Sequence, residues 1–191
     1  MENDEAKRLL ALVAEGDQRA FEKLYRAQSR SVYAYVLNQL RNTVEAEVVL
    51  SETMFELWKC AAKFKGESTV RTWIFGIARN KMLMQFRARS MDHEDVDAYA
   101  EILPSDGPDA IDLIADTQRQ QGVKKCMEAL SHNHRECLHL VFFESCSIGE
   151  IAAIQQVPSG TVKTRLHHAR LKIKACLADL LRAERELVAG T

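Results

Sequence analysis

The chain has 191 residues, 47% hydrophobic and 28% charged, enough for one medium domain or two small ones that bury a core. Its 26 Lys and Arg against 27 Asp and Glu leave a net charge of −1, which at face value speaks against a nucleic-acid binder. No apolar run approaches the roughly eighteen residues of a membrane span, and the opening MENDEAKR lacks the apolar core of a signal peptide, so neither membrane insertion nor export is expected.

The charge is unevenly placed. Between Ser90 and Asp116 lie nine acidic residues and no Lys or Arg, while the parts before and after each carry a net charge of +4. Two mildly basic lobes flank an acidic strip. Only three Pro and eight Gly favour long helices over tight turns. The five cysteines are odd in number and scattered, which predicts a reduced, cytoplasmic chain without a disulfide framework.

A short helix is expected from about Asp4 to Ala14. Asp17 can cap the next, where Phe21, Leu24, Tyr25, Val32, Val36 and Leu40 recur at three- and four-residue steps. Thr43 can cap a third helix with Val49, Leu50, Met54, Leu57 and Trp58 on its apolar face. The loop Phe64–Thr69, containing Gly66, leads to a helix with Trp73, Ile74, Ile77, Ala78, Leu83 and Phe86. Both tryptophans sit on apolar stripes and are expected to pack in a core. These helices form one bundle, residues 1–89.

Residues 90–116 hold Pro104 and Pro108 within the acidic run, the composition of a flexible linker. A second helical domain is expected over 117–191. The fold class is therefore all-α, two small helical domains joined by an acidic linker.

The most specific local signal lies in that second domain. Ser147 and Glu150 have the spacing of a capping box, in which each side chain satisfies the other's backbone amide. Gln156, Val157 and Pro158 break the short helix that follows, and Ser159 can cap the next. Two helices around a tight break make a helix-turn-helix. On the second of them, Lys163, Arg165, His167, His168, Arg170, Lys172 and Lys174 occur without one carboxylate. Ser159, Thr161 and Thr164 add hydroxyls near its start. Set in a major groove, such a helix offers cations to phosphates and polar groups to base edges.

Residues 129–173 resemble the carboxy-terminal promoter-reading domain of extracytoplasmic-function (ECF) sigma factors, and GTVKTRLHHAR at 160–170 is similar to that family's recognition-helix pattern GTVKSRLHRAR. The segments GDQRAFEKLY at 16–25, AEVVLSETMF at 46–55 and WIFGIARN at 73–80 resemble the amino-terminal domain of the same family. The resemblance implies a promoter-specificity subunit of bacterial RNA polymerase, not an enzyme. It needs no cofactor or metal, and it is stress-responsive and regulated by an anti-sigma factor.

On this resemblance, Glu47, Val48, Ser51, Glu52 and Phe55 grip the clamp of the polymerase largest subunit. The loop Phe64, Lys65, Gly66, Glu67, Ser68 and Thr69 captures a flipped base of the minus-ten element, with Arg71, Arg79, Asn80 and Arg87 along the strand. Lys63, Lys81 and Arg89 add cation density nearby. Ser159, Thr161, Lys163, Thr164, Arg165, His167, His168 and Arg170 read the minus-thirty-five element while the domain docks on the flap of the second large subunit. The acidic linker would run through the polymerase toward the RNA exit path.

Four positions depart from the family pattern: Val48 and Met84 replace frequent acidic residues, and His168 a frequent Arg. Ser51 stands where Gln is common. A metal or redox switch around His132, His134, Cys137, His139 and Cys146 is the weaker alternative, because Cys137 falls among Leu138, Val141 and Phe142 as a buried thiol would. A stand-alone helix-turn-helix regulator is disfavoured by the amino-terminal lobe. An enzyme is disfavoured because no phosphate-cradling loop, carboxylate pair or nucleophile motif is found.

Overall fold

The computed structural model describes residues 1–92 and 122–189, and all regular structure among them is helical. The helices are α1 (Asn3–Ala14), α2 (Gln18–Leu40), α3 (Thr43–Cys60), α4 (Val70–Asp92), α5 (described over 122–128), α6 (His132–Phe142), α7 (Ile148–Gln155) and α8 (Ser159–Ala189). A 3₁₀ turn, Ala61–Lys63, follows α3. The acidic strip over 93–116 lies outside the described residues.

Each helix of the first lobe begins where its local chemistry directs. Gly16, at φ +92°, turns the chain after α1 in the left-handed region that favours glycine. Asp17 then accepts from the amides of Arg19 and Ala20 at 2.8 and 3.0 Å. The cap of α3 is Asn42 rather than the expected Thr43, which is already helical. Asn42 keeps an extended backbone, and its Oδ1 accepts from Glu45 N at 3.1 Å. At the head of α4, Thr69 Oγ1 accepts from Thr72 N at 3.0 Å, and Asn3 Oδ1 from α1 accepts from Val70 N at 3.1 Å.

The buried faces of these helices interleave. Leu24, Val32, Tyr35 and Val36 of α2 meet Val49 and Leu57 of α3 and Ile74, Phe75, Ala78 and Met82 of α4. Burying each large side chain is worth about 1.5–3 kcal/mol, so this cluster dominates the lobe's stability. Both tryptophans support it from the edge: Trp58 meets Phe21 edge-on with centroids 5.3 Å apart, and Trp73 packs on Phe64 at 5.3 Å.

In the second lobe, Cys137, Leu138 and Leu140 of α6 pack with Ile151 and Ile154 of α7 and Val162, Leu166 and Ala169 of α8. Phe142 does not join them: it is 64% exposed, as is its neighbour Phe143 at 70%. Helix α8 runs unbroken for 31 residues, since no Gly or Pro follows Gly160 within it. This length brings Cys176 beside Cys126 of α5, and the two form a disulfide with Cα atoms 5.7 Å apart. The expectation of an unpaired set of cysteines is corrected there. A count of scattered cysteines carries no information about a pairing 50 positions apart.

The lobes are in direct contact. Helix α4 packs against α7, and α2 against α6, so the two buried clusters form one continuous core. Arg41 ends α2 in the left-handed region, at φ 55°, and its Nη2 donates to the carbonyl of Glu128, the last residue of α5, at 2.8 Å.

Candidate nucleic-acid interface

The helix-turn-helix is built as its sequence directs. Ser147 Oγ accepts from Glu150 N at 3.2 Å, and Glu150 Oε2 accepts from Ser147 N at 2.8 Å, closing the capping box. Gln156 takes the left-handed conformation, φ 54°, and stops α7. Pro158 starts α8, its carbonyl accepting from Thr161 N at 2.9 Å, so Ser159 is the first helical residue rather than the cap.

On α8, Ser159, Lys163, Thr164, His167, His168 and Arg170 are exposed, and Thr161 and Arg165 are half-buried. The hydroxyl of Thr164 donates back to Gly160 O at 3.1 Å, which occupies its proton within the helix. Arg165 is held: its Nη1 donates to Gln155 Oε1 at 2.7 Å. The His168 ring stacks beside His134 with centroids 6.3 Å apart. Burial, followed by Lys172, His168 and Arg165, lowers the His134 pKa, so His134 adds little positive charge near neutrality.

On α3, Glu47, Val48, Ser51, Glu52 and Phe55 are all exposed, opposite the face that carries Ala46, Val49, Thr53, Met54 and Leu57 into the core. Val44, Val48 and Phe55 form an apolar stripe at helical spacing, exposed at 67%, 43% and 62%. Lys59 Nζ sits 5.3 Å from the centre of the Phe55 ring. An exposed stripe of this kind marks a binding surface more often than a packing defect.

The loop after α3 projects Lys65, Gly66 and Glu67 into solvent, with Gly66 at φ +76°. Phe64, Ser68 and Thr69 are half-buried. Thr69 is occupied as the α4 cap, and Ser68 Oγ donates to Thr69 O at 3.2 Å. Ser68, Thr72, Trp73, Gly76, Ile77 and Asn80 line an open pocket of about 240 Å³, to which the other lobe contributes Ala153 and Gln156. Asn80 and Arg87 are exposed, as is Lys63, while Lys81 Nζ is 3.3 Å from Glu56 Oε2. The Arg89 side chain lies outside the described residues.

Two of the expected strand-binding cations are not free. Arg79 is 9% exposed, and its Nε donates to Glu136 Oε1 at 3.0 Å. Glu136, fully buried on α6, also accepts from the Tyr35 hydroxyl at 2.5 Å and from Gln155 Nε2 at 2.7 Å. Arg71 pairs with the buried Glu144 through Nη2 and donates through Nη1 to the Glu144 carbonyl at 2.6 Å. Thr72 donates to the capping-box carboxylate, Glu150 Oε1, at 3.1 Å. A buried carboxylate with three donors is satisfied, whereas losing one partner of such a pair costs about 3–5 kcal/mol.

The same environment sets the ionisation of its neighbours. Burial, reinforced by the charge of Glu136, raises the Tyr35 hydroxyl well above its usual range and keeps it a donor. Burial pushes up the Glu144 carboxyl, but His139 and Arg71 outweigh it and leave the group below its usual value. Burial raises the Cys137 and Cys146 thiols to about 11, and Cys137 Sγ donates to Gln155 Oε1 at 3.4 Å. Both are therefore unreactive core thiols. Among the described residues no three His, Cys, Asp or Glu side chains are placed to hold a metal ion.

Sequence patterns alone did not single out Glu136, Gln155, Glu144 or Tyr35. Their roles arise from long-range contacts that no local pattern announces, since the buried residues of α6 mix Arg135, Glu136 and His139 with Cys137, Leu138 and Leu140.

Comparison with known proteins identifies both lobes. Residues 24–91 match the sigma-70 region 2 family, and residues 120–173 match sigma-70 region 4. The chain is 28% identical over 187 residues to the RNA polymerase sigma-H factor of Pseudomonas aeruginosa, spanning 94% of this chain and 97% of that protein. It is 25% identical over 171 residues to the ECF RNA polymerase sigma factor SigK of Mycobacterium bovis, spanning 88% and 91%. Its fold is similar to that of the sigma factor RpoE of Bartonella quintana, solved with the anti-sigma factor NepR, at 24% identity and a TM-score of 0.69 over 83% of this chain and 96% of that one. With a capped helix-turn-helix in one lobe, an exposed apolar stripe in the other, and both lobes matched in order, the chain belongs to the ECF branch of the sigma-70 family.

Proposed function

We propose that this chain directs core RNA polymerase to a set of promoters and initiates transcription there, contributing specificity rather than catalysis. Residues 1–89 form the domain that binds core polymerase and the minus-ten element, residues 90–116 the acidic linker, and residues 117–191 the domain that reads the minus-thirty-five element. The observation that carries this division is the placement of two unlike exposed surfaces on two matched lobes. The apolar stripe of α3 suits a protein partner, the polymerase clamp, and the carboxylate-free cationic face at the start of α8 suits duplex DNA.

Within this division, Glu47, Val48, Ser51, Glu52 and Phe55 bear on the clamp. The loop from Phe64 to Thr69, with Asn80 and Arg87, handles the melted strand, and Arg71 and Arg79 join it once they leave their carboxylates. Lys163, Arg165 and Arg170 face the groove. A cytoplasmic chain fits the task, and no helix among the described residues is long and apolar enough to cross a membrane. An anti-sigma factor is the regulatory partner this function carries, as the fold neighbour from B. quintana was solved bound to one.

Run-off transcription with core polymerase on genomic fragments tests the proposal. Discrete, chain-dependent start sites are expected. The absence of both a stable complex with core polymerase and promoter-dependent transcripts overturns it.

A further inference from the structure

We propose that His134, on α6 and outside the helix-turn-helix, belongs to the DNA-binding surface, and that it shares with His168 one proton taken up when α8 seats against the phosphate backbone. The inference rests on the sigma reading above and adds to it a contact residue and a proton-linked step.

The cluster lies along one side of α8. Thr164, His168 and Lys172 follow at four-residue steps and share one row of the helix. His134 flanks that row: its ring lies within 14° of parallel to that of His168, with centroids 6.3 Å apart. His167 meets His168 edge-on at 5.8 Å. His167, His168 and Lys172 are exposed and His134 is half-buried, so the polar surface of α8 extends onto α6 through imidazole rings.

The charges that act on this cluster are of one sign. Burial lowers the His134 pKa first, and Lys172, His168 and Arg165, all on α8, lower it further. The carboxylates of the packed helices are engaged elsewhere: Glu136 of α6 with Tyr35, Arg79 and Gln155, and Glu150 of α7 with Ser147 and Thr72. The other cationic side chains of α6 also turn away, Arg135 to the carbonyl of Gln39, His132 to Phe86 and His139 to Glu144. Nδ1 of His134 is buried without a hydrogen-bond partner, which favours the neutral ring in the free chain, since a proton there would find no acceptor.

DNA supplies the missing anion. A major groove about 12 Å wide is filled by a helix of about 10–12 Å with its side chains, so groups flanking the helix meet the phosphates of the groove wall. A phosphate beside His134 and His168 opposes the charges of Lys172 and Arg165 and favours the imidazolium form. Two rings this close to each other and to those cations disfavour a second charge, so the proton belongs to the pair. The complex then binds one more proton than the free chain near neutrality, and affinity rises as pH falls. A proton whose pKa rises by about one unit on binding strengthens the complex by at most about tenfold.

Fluorescence anisotropy of the assembled polymerase on a promoter duplex defined by run-off transcription, read between pH 8.0 and 6.0, tests the shared proton. Relative to His168→Gln, the wild type should gain about three- to tenfold in affinity across that range. Its salt dependence should steepen by about one ion at the lower pH. His134→Gln should flatten the gradient as well, and His168→Arg, a permanent cation, should bind at pH 8.0 as the wild type does at pH 6.0. Circular dichroism across the range confirms the fold, and the exposed His168 keeps its variants informative should His134→Gln lose helix content. A wild-type gradient in either folded Gln variant overturns the proposal while leaving the sigma function standing. Absence of polymerase-dependent promoter binding at every pH overturns the sigma function instead, and the shared proton with it.

Discussion

The ring of Phe86, on α4, meets the ring of His132, on α6, edge-on with centroids 5.0 Å apart. Histidine here seals the lobe interface as an apolar plate does. Burial is the first cause that lowers its pKa, with Arg135, Arg79 and Arg165 adding to it and Glu136 opposing.

The sign of the resulting pH dependence is fixed by that direction. A histidine whose folded pKa lies below its unfolded value near 6.5 binds protons more readily in the unfolded chain. The stability is therefore full above about pH 6.5 and is lost as pH falls through the folded value. Glu144 and Glu150, also lowered, lose their contribution only below the usual carboxylate range, outside this window. We expect a lower melting temperature at pH 5.5 than at pH 7.5, and His132→Gln should narrow the gap. It will not abolish it, because His134 is lowered as well. Identical pH profiles for the wild type and His132→Gln would show that His132 is not the responsible group.

The Cys126–Cys176 bridge closes a loop of 50 positions between α5 and the far part of α8. Restricting the unfolded chain by a loop of that length contributes about 2–4 kcal/mol. For a chain of this size that corresponds to a melting temperature higher by roughly 5–15 °C in the oxidised form. Thiol titration of the denatured, non-reduced chain should read three free thiols of the five cysteines, namely Cys60, Cys137 and Cys146. Five titrating thiols, or equal melting with and without reductant, would remove the bridge from the account.

What the sequence made legible is local. The capping box of Ser147 and Glu150 spans four residues, so its spacing alone announces the helix start. The apolar stripes of α2, α3 and α4 likewise repeat within one or two turns. Glu136 was not legible, because its partners Tyr35, Arg79 and Gln155 lie 101, 57 and 19 positions away. For the same reason Arg79 read as a strand-binding cation, although its guanidinium is buried against that carboxylate. Asn42 displaced Thr43 as a cap on a finer ground. Both side chains can cap, and only the backbone angles of the folded turn decide which residue stands one step outside the helix.

The α3 stripe separates binding from stability. Phe55 is 62% exposed and contributes little to the core, so Phe55→Ala should change stability by no more than about 0.5 kcal/mol. An exposed aromatic at the centre of a protein contact commonly carries more than about 1 kcal/mol of binding, or roughly a fivefold or greater loss on truncation. Core-polymerase binding of Phe55→Ala should weaken accordingly while its melting temperature holds. Val48→Glu, which restores the acidic residue frequent at this position in the family, should tighten binding. Unchanged affinity in both variants would place the clamp contact elsewhere.

Lys163 and Arg165 are two positions apart on α8 but differ in what they must give up to reach DNA. Lys163 is exposed and unconstrained by the second lobe's core, whereas Arg165 is half-buried and donates to Gln155 at 2.7 Å. A lysine contacting phosphate should, when replaced by Ala, weaken promoter binding by similar factors across sequences and reduce the salt dependence by about one ion. An arginine making a bidentate contact to guanine should, when replaced by Ala, cost about 1–3 kcal/mol on the preferred minus-thirty-five sequence and much less on others. Arg165 must also trade its bond to Gln155 for that contact, so Arg165→Lys should not restore the preference, because an ammonium cannot make the paired contact. Fluorescence anisotropy of the assembled polymerase on promoter duplexes at several salt concentrations reads both quantities. Uniform loss for Lys163→Ala with selective loss for Arg165→Ala is the expected pattern, and unchanged binding in both would refute the groove-facing side of α8.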